Sequence, residues 1–347
     1  MKDTERKVNK KTNPFMVFLA FFFSTIICIV LILLGIIWVM EKGPSKTATA
    51  KFCQSVRETS AIQWISGIFL SEEELSQYKS LNTEKTDTQA VNTSLIKIAS
   101  SAPEKPKEEG VQPVELKEIA EGSVKGKMLI IRDPKQVILG ISGTFSSEPG
   151  LQLTEIVKKY NGIAGINAGG FNDEGGSGDG GTPQGLVIYE GDLLWGNESA
   201  SYNLIGIDRE GILHVGTMTG KDALDRNIQW AVSFVTHDGL ASSLIINGEV
   251  QTQNFGSGVN PRTAIGQRSD GALLLLVLDG RSISTLGATI EDVCSIMLEY
   301  GAVNAGNLDG GSSSVMVYED EIINNCASVT GPRRIPTAFV VLGDDQI

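Results

Sequence analysis

The hydrophobic pattern divides the chain into one long continuous apolar run and many short ones. From Phe15 to Met40 there is no charged residue, and Phe, Ile, Leu and Val dominate. A bilayer core takes about 20 apolar residues in a helix, so this run predicts a transmembrane helix over residues 15–40. Past Val114 the apolar runs shorten and alternate with glycine turns: 128–131, 137–141, 162–166, 186–189, 203–207, 212–215, 228–234, 244–246, 273–278, 315–318 and 338–342. Their length and β-branched content predict strands. Asn247-Gly248 and Glu190-Gly191 read as hairpin turns. Helical spacing occurs in 154–160 and in Thr289–Tyr300, where Ile290, Val293, Cys294, Met297 and Leu298 share a face. The pattern therefore predicts an α+β protein: a strand-rich, mixed-sheet domain with few helices, preceded by one N-terminal transmembrane helix.

Between these regions lies a polar stretch with one apolar patch, Ile62–Leu70, and a helix start at Ser71-Glu72-Glu73-Glu74, with a capping hydroxyl and acids in the first turn. The patch fits an interfacial helix or a small helical hairpin. Residues 101–113 carry three prolines and several charges, a linker composition. The expected organisation is a basic cytoplasmic tail (1–14), the transmembrane helix (15–40), a juxtamembrane stalk and linker (41–113) and a globular domain (114–347).

Charge narrows the function classes. Lys2, Arg6, Lys7, Lys10 and Lys11 precede the apolar run, which puts the N-terminus in the cytoplasm and the domain outside the cell. A cleavable signal peptide, with Ala48-Thr49-Ala50 as cleavage site, is the rival reading. The net charge of −12 argues against a nucleic-acid partner. The two histidines, His214 and His237, stand in no zinc or triad pattern. Cys28 lies in the membrane run, and Cys294–Cys326 is the one pairing that suggests itself, with buried free thiols the alternative.

Four polar or glycine-rich clusters abut strands. In Gly165–Phe171, Asn167 offers a donor and an acceptor that suit a sugar, beside Gly169; a plain left-handed turn is the bland alternative. In Asn260–Gly266, Arg262 and Thr263 follow a rigid proline, and an arginine so held suits a phosphate or carboxylate. Asp279 leaves the apolar run 273–278, with Arg281 as a possible salt-bridge partner. Asn307-Leu308-Asp309-Gly310-Gly311-Ser312-Ser313-Ser314 combines a carboxylate with a turn whose N–H groups suit an anion. Arg334, before the last strand, is a fifth candidate.

Taken in order, Asn167-Ala168-Gly169, Thr182–Ile188, Asn260–Gly266, Asp279-Gly280-Arg281 and Asn307–Ser313 resemble the motifs of the phosphodiester glycosidase family. That family includes the lysosomal uncovering enzyme, which removes N-acetylglucosamine from its phosphodiester link to mannose. The resemblance runs from about Val114 to Leu342 and looks like that of a membrane-anchored bacterial member. Two positions depart from the pattern. Gly170 stands where many relatives carry an aromatic, with Phe171 following, and Ser312 stands where many carry a third glycine.

The resemblance implies hydrolysis of a sugar-1-phosphodiester, with an N-acetylhexosamine-type sugar, in surface-polysaccharide or wall-polymer metabolism. Such a leaving group is already a stable anion, so the paired carboxylates of an ordinary glycosidase are less needed than cations and N–H donors on the phosphate. Asp309 is the first candidate for the catalytic carboxylate and Asp279 the second. Arg262 and the turn formed by Gly310, Gly311, Ser312 and Ser313 are assigned to the phosphate, and Asn167 and Asn307 to the sugar. No cofactor is required on this reading. Asp173, Glu174 and Asp179, in the glycine-rich loop 173–181, make calcium a possible ligand, and a lid is the simpler use of that loop. A non-catalytic module binding phosphate-bearing polysaccharide, and a metal-dependent phosphodiesterase using Asp279 and Asp309, are the competing classes. The partner is a sugar-phosphate polymer or a glycolipid.

Overall fold

The computed structural model describes residues 13–57, 62–79, 90–98, 112–145, 148–173, 179–235, 242–251, 258–280, 285–326 and 331–346. The basic tail before residue 13, most of the proline linker, Arg281, Glu174 and His237 lie outside them.

The apolar run forms a single helix, α1 (Pro14–Lys42), started by Asn13, whose side chain accepts from the Phe15 N–H. At about 1.5 Å per residue it is about 44 Å long, long and apolar enough to cross a membrane. Two further helices follow. One, α2 (Lys46–Arg57), was not evident in the pattern. The other, α3 (Glu72–Lys79), starts where the acids predict: the Ser71 hydroxyl accepts from the Glu74 N–H, and the Glu74 carboxylate accepts from the Ser71 N–H. The apolar patch between them makes a short 3-10 turn, Gln63–Gly67.

Three sheets build the domain. The seven-stranded sheet has the order β1 (Val114–Glu121), β2 (Val124–Ile131), β13 (Leu273–Leu278), β12 (Arg262–Arg268), β14 (Ala302–Asn307), β10 (Ser243–Ile246) and β11 (Glu249–Val250). A five-stranded sheet runs β16 (Glu321–Ile322), β15 (Met316–Tyr318), β4 (Ala164–Asn167), β17 (Thr337–Val341) and β3 (Val137–Ile141). The other runs β6 (Asp192–Trp195), β5 (Val187–Tyr189), β9 (Ile228–Ser233), β7 (Ser201–Asp208) and β8 (Leu213–Thr219). The strand-rich α+β class holds. Every pairing among the described strands is antiparallel, where a mixed sheet was expected. Short hairpin links such as Asn247-Gly248 and Glu190-Gly191, with φ of 55° and 82° and of 54° and 86°, make antiparallel neighbours directly.

All three sheets contribute to one central core, which includes Leu129, Leu139, Ile166, Val187, Ile205, Leu275 and Phe339. Each outer face is covered by one short helix. These are α6 (Ile290–Glu299) on the seven-stranded sheet, α4 (Leu153–Lys159) on the second and α5 (Gly220–Asp225) on the third. This explains the unalternating Leu273–Leu278. Leu273, Leu275 and Val277 enter the central core while Leu274, Leu276 and Leu278 enter the α6 core, so the strand is buried on both faces. Cys294 lies buried on α6, its thiol pushed up to about 12 by that burial, and no disulfide joins the four cysteines.

Parts of the stretch read as a stalk pack on these sheets. Val91 joins the central core, and the Lys97 N–H donates to Ser269 O.

Candidate active site

The site forms where the seven-stranded sheet meets the end of β4 and the start of β17 in the second. β4 ends at Asn167 and β14 at Asn307, while β12 begins at Arg262, and these ends are stitched together by one side chain. Asn167 is buried. Its Nδ2 donates to the Asp309 carbonyl (2.6 Å), and its Oδ1 accepts from Thr263 Oγ1 (2.9 Å) and Val315 N (3.2 Å). Thr263 Oγ1 also reaches Ser314 Oγ at 3.1 Å. Leu308 N donates to Thr263 O, Asp309 N to Ala168 O and Gly311 N to Pro261 O. Buried polar groups are rarely left unpaired, and here they hold the Asp309 loop to both sheets.

Several residues assigned to substrate from the sequence therefore serve the frame. The Asn167 amide is engaged by protein. The Gly169 N–H donates to Thr337 Oγ1. Arg262 is buried, with Nε donating to Ala288 O (3.1 Å) and Nη2 to Gly258 O (2.6 Å). Of the expected anion turn, the Gly311 and Ser313 N–H groups are spent on Pro261 O and Gly310 O. Gly311 takes φ of 62°, the left-handed conformation its glycine permits. Asn307 is buried beside Ser242, and its Oδ1 has no partner among the described residues.

Asp309 sits differently. It is partly open to solvent. Desolvation pushes its carboxyl up to about 7, and the nearby Asp173 adds to the rise. The Ser313 hydroxyl, the Arg333 charge and the Gly310 N–H oppose it. Arg333 grips Asp173 in a fork, Nη1 to Oδ2 at 2.8 Å and Nη2 to Oδ1 at 2.7 Å, with side-chain exposures of 14% and 18%. Its guanidinium lies 5.2 Å from the Phe171 ring centroid and donates to Ser312 Oγ at 3.4 Å. Phe171, the aromatic that follows the departure at Gly170, thus lies under this arginine, and Ser312, the second departure, binds it.

Two predicted residues stand apart from this cluster. Arg334 points the other way, donating to Gly150 O (2.9 Å) and pairing at 3.6 Å with Glu155 on an exposed face, so it does not join the site. The cation that does is its neighbour Arg333; both arginines precede the strand that begins at Thr337, so no alternation in the sequence separates the two. Asp279 accepts from Asn325 N at 2.9 Å. Its carboxyl is raised by burial, and the charges acting on it are Lys127, Glu118 and Lys125 of the β1–β2 hairpin, not those around Asp309. Of the acidic loop, Asp173 faces Arg333 and Asp179 Oδ1 accepts from Gly181 N.

The arrangement amounts to a carboxyl poised near neutral pH, beside a stacked, forked cation that already holds an anion. Comparison with known proteins identifies the family. The phosphodiester glycosidase profile matches residues 160–342, just over half of the chain, and the chain belongs to that family. It is 30% identical over 211 residues to the SPbeta prophage-derived uncharacterized protein YomE of Bacillus subtilis, covering 59% of this chain and 31% of that protein. It is 29% identical over 155 residues to the bovine N-acetylglucosamine-1-phosphodiester alpha-N-acetylglucosaminidase, covering 39% and 29%. The chain thus spans about a third of the length of these relatives. The zebrafish N-acetylglucosamine-1-phosphodiester alpha-N-acetylglucosaminidase catalytic domain, solved auto-inhibited by its pro-peptide, shares the fold at a TM-score of 0.54 and 21% identity, over 68% of this chain and 86% of that one.

Proposed function

We propose that this protein is an extracytoplasmic glycosidase that hydrolyses a sugar-1-phosphodiester, with an N-acetylhexosamine as the sugar, in surface-polysaccharide or wall-polymer metabolism. The observation that carries the reading is the pairing of Asp309, a partly exposed carboxyl raised to about 7, with the charge of Arg333, which grips an anion in a fork. Family membership supports the reaction class, and the bovine relative supplies the sugar.

Asp173 occupies the Arg333 fork as a carboxylate, the geometry in which arginine takes a phosphate. In the reaction the substrate phosphate replaces it there. Water attacks the anomeric carbon, and the bond from that carbon to the phosphate oxygen breaks with its electron pair on the oxygen. The products are a free sugar and a phosphate monoester. Arg333 neutralises the charge gained by the leaving phosphate. The Asp309 carboxylate takes the proton of the attacking water. The α1 helix anchors the domain, and the basic residues before it set the N-terminus inside.

The test is to supply the full chain, in detergent, with N-acetylglucosamine-1-phosphate esterified to a simple alcohol. Free N-acetylglucosamine and the alcohol's phosphate monoester are expected, with Asp309→Asn inactive. Release of sugar-1-phosphate, or turnover lost on adding chelator, would favour a metal-dependent phosphodiesterase. Saturable binding of such esters and of phosphate-bearing polymer without turnover would leave a binding module.

A further inference from the structure

The helix that follows the anchor is packed against the loop that supports the site. In α2 the buried Ser55 Oγ accepts from Val259 N at 2.8 Å, and a side chain at Gly258 would run into the backbone of Ser55. Lys51, one turn earlier, lies close enough for its charge to act on Glu291 at the start of α6. From this contact the path to the site is short: Gly258 O accepts from Arg262, and Pro261 O accepts from Gly311 N, two residues past Asp309. The other side of α2 is fixed to the anchor. Cys53 packs with Leu70 and Leu75, the Glu41 carboxylate accepts from Phe69 N, and Lys42 pairs with Glu74.

These contacts make the end of α1, α2 and residues 62–79 a collar that holds the domain close to the anchor. The rise from Lys46 to Ser55 is about 14 Å in a helix, and the link from Lys42 to Lys46 adds at most about 14 Å. Ser55 therefore stands within about 28 Å of the end of the membrane helix, and the Asp309 loop follows from it through Val259, Pro261 and Gly311. The two most exposed large apolar side chains outside α1 among the described residues flank this collar. They are Trp64, 67% exposed, on the patch itself, and Leu286, 63% exposed, two residues before the Ala288 that bridges to Asn260. An exposed tryptophan this close to an anchor suits the membrane interface.

We infer that the collar sets the site against the membrane surface, and that the substrate is a sugar-1-phosphodiester carried by a lipid in the same leaflet, not a released polymer. This rests on the hydrolase reading above. A fixed site near the surface meets lipid-borne substrate at the high effective concentration of a shared plane, an advantage that falls as a flexible tether lengthens.

The experiment uses the full chain in phosphatidylcholine–phosphatidylglycerol vesicles. It compares N-acetylglucosaminyl phosphate esterified to a long-chain lipid alcohol in the same vesicles with the same head group on a water-soluble alcohol. The lipid-borne ester is expected to turn over at least about tenfold faster at equal bulk concentration. Inserting about 20 Gly/Ser residues after Pro44, together with Glu41→Ala and Lys42→Ala to release the ties to Phe69 and Glu74, should lower that advantage at least about fivefold while soluble turnover stays within about twofold. Ser55→Arg, which undocks α2, should do the same. Equal rates on the two esters, or an advantage untouched by the insertion, would overturn the inference. If neither ester is cleaved, it is the hydrolase reading that falls.

Discussion

Two groups of residues lie within a few bonds of each other at the sheet junction, and they do opposite work. Asn167, Thr263, Ser314 and Arg262 point into the protein and spend their hydrogen-bonding capacity on it. Asp309, Arg333, Asp173 and Phe171 act on one another through charge and stacking. The first group fixes where the loop goes; the second is where an anion and a proton can be handled. Polar residues at strand ends are thus not all ligands, and the number of protein partners each one has separates the two kinds.

The comparison breaks most sharply at Asp309. Asp309→Asn should lower turnover by about 10³-fold or more with the fold intact, read as sugar release beside circular dichroism. Arg333→Ala should cost about 10²- to 10³-fold. Arg333→Lys should recover little, because a single ammonium cannot replace the fork. By contrast, Asn167→Ala and Arg262→Ala should act on stability, by about 2–4 kcal/mol each, since both leave buried partners unpaired. Chemical denaturation of these variants checks that, and any activity they lose should track the unfolded fraction.

The pH dependence follows from the raised Asp309 carboxyl. If the carboxylate is the working form, turnover should rise through about pH 7 and level above it. The stability effect has the opposite sense. A folded value near 7, above the unfolded carboxylate value, means a contribution that is full below about pH 4 and lost as pH rises through 7. Asp309→Asn should therefore raise the unfolding midpoint at pH 8 and leave it little changed at pH 4. The smallest effect belongs to Arg334→Ala. Its exposed pair with Glu155 should matter by under about 1 kcal/mol, and turnover should stay within about twofold.

Most of the fold was legible where side chains announce it. The β-branched runs became strands, Thr289–Tyr300 became α6 with Thr289 as its cap, and the acids after Ser71 opened α3. What was missed has physical reasons. The strand β14 is written Ala-Val-Asn-Ala-Gly-Asn, small residues that let Gly306 pack against Ile205, with no hydrophobic alternation to read. β1 is half polar because one face is open, and β12 carries its burial on Thr, Gly and Gln. At the site, the acid in the glycine turn was readable, since carboxylate and glycines are adjacent in the chain. Arg333 and Asp173 were not, because their pairing joins positions 160 residues apart. Of two adjacent arginines, only the geometry of the strand entry decides which one turns inward.

The most direct test of the account is the fate of the oxygen atom taken from water. Hydrolysis of N-acetylglucosaminyl phosphate esters by the full chain in oxygen-18 water should place the label on the sugar and none on the phosphate, and Asp309→Asn should abolish it. Label recovered in the phosphate would mean that water attacks phosphorus and that the glycosidase assignment is wrong.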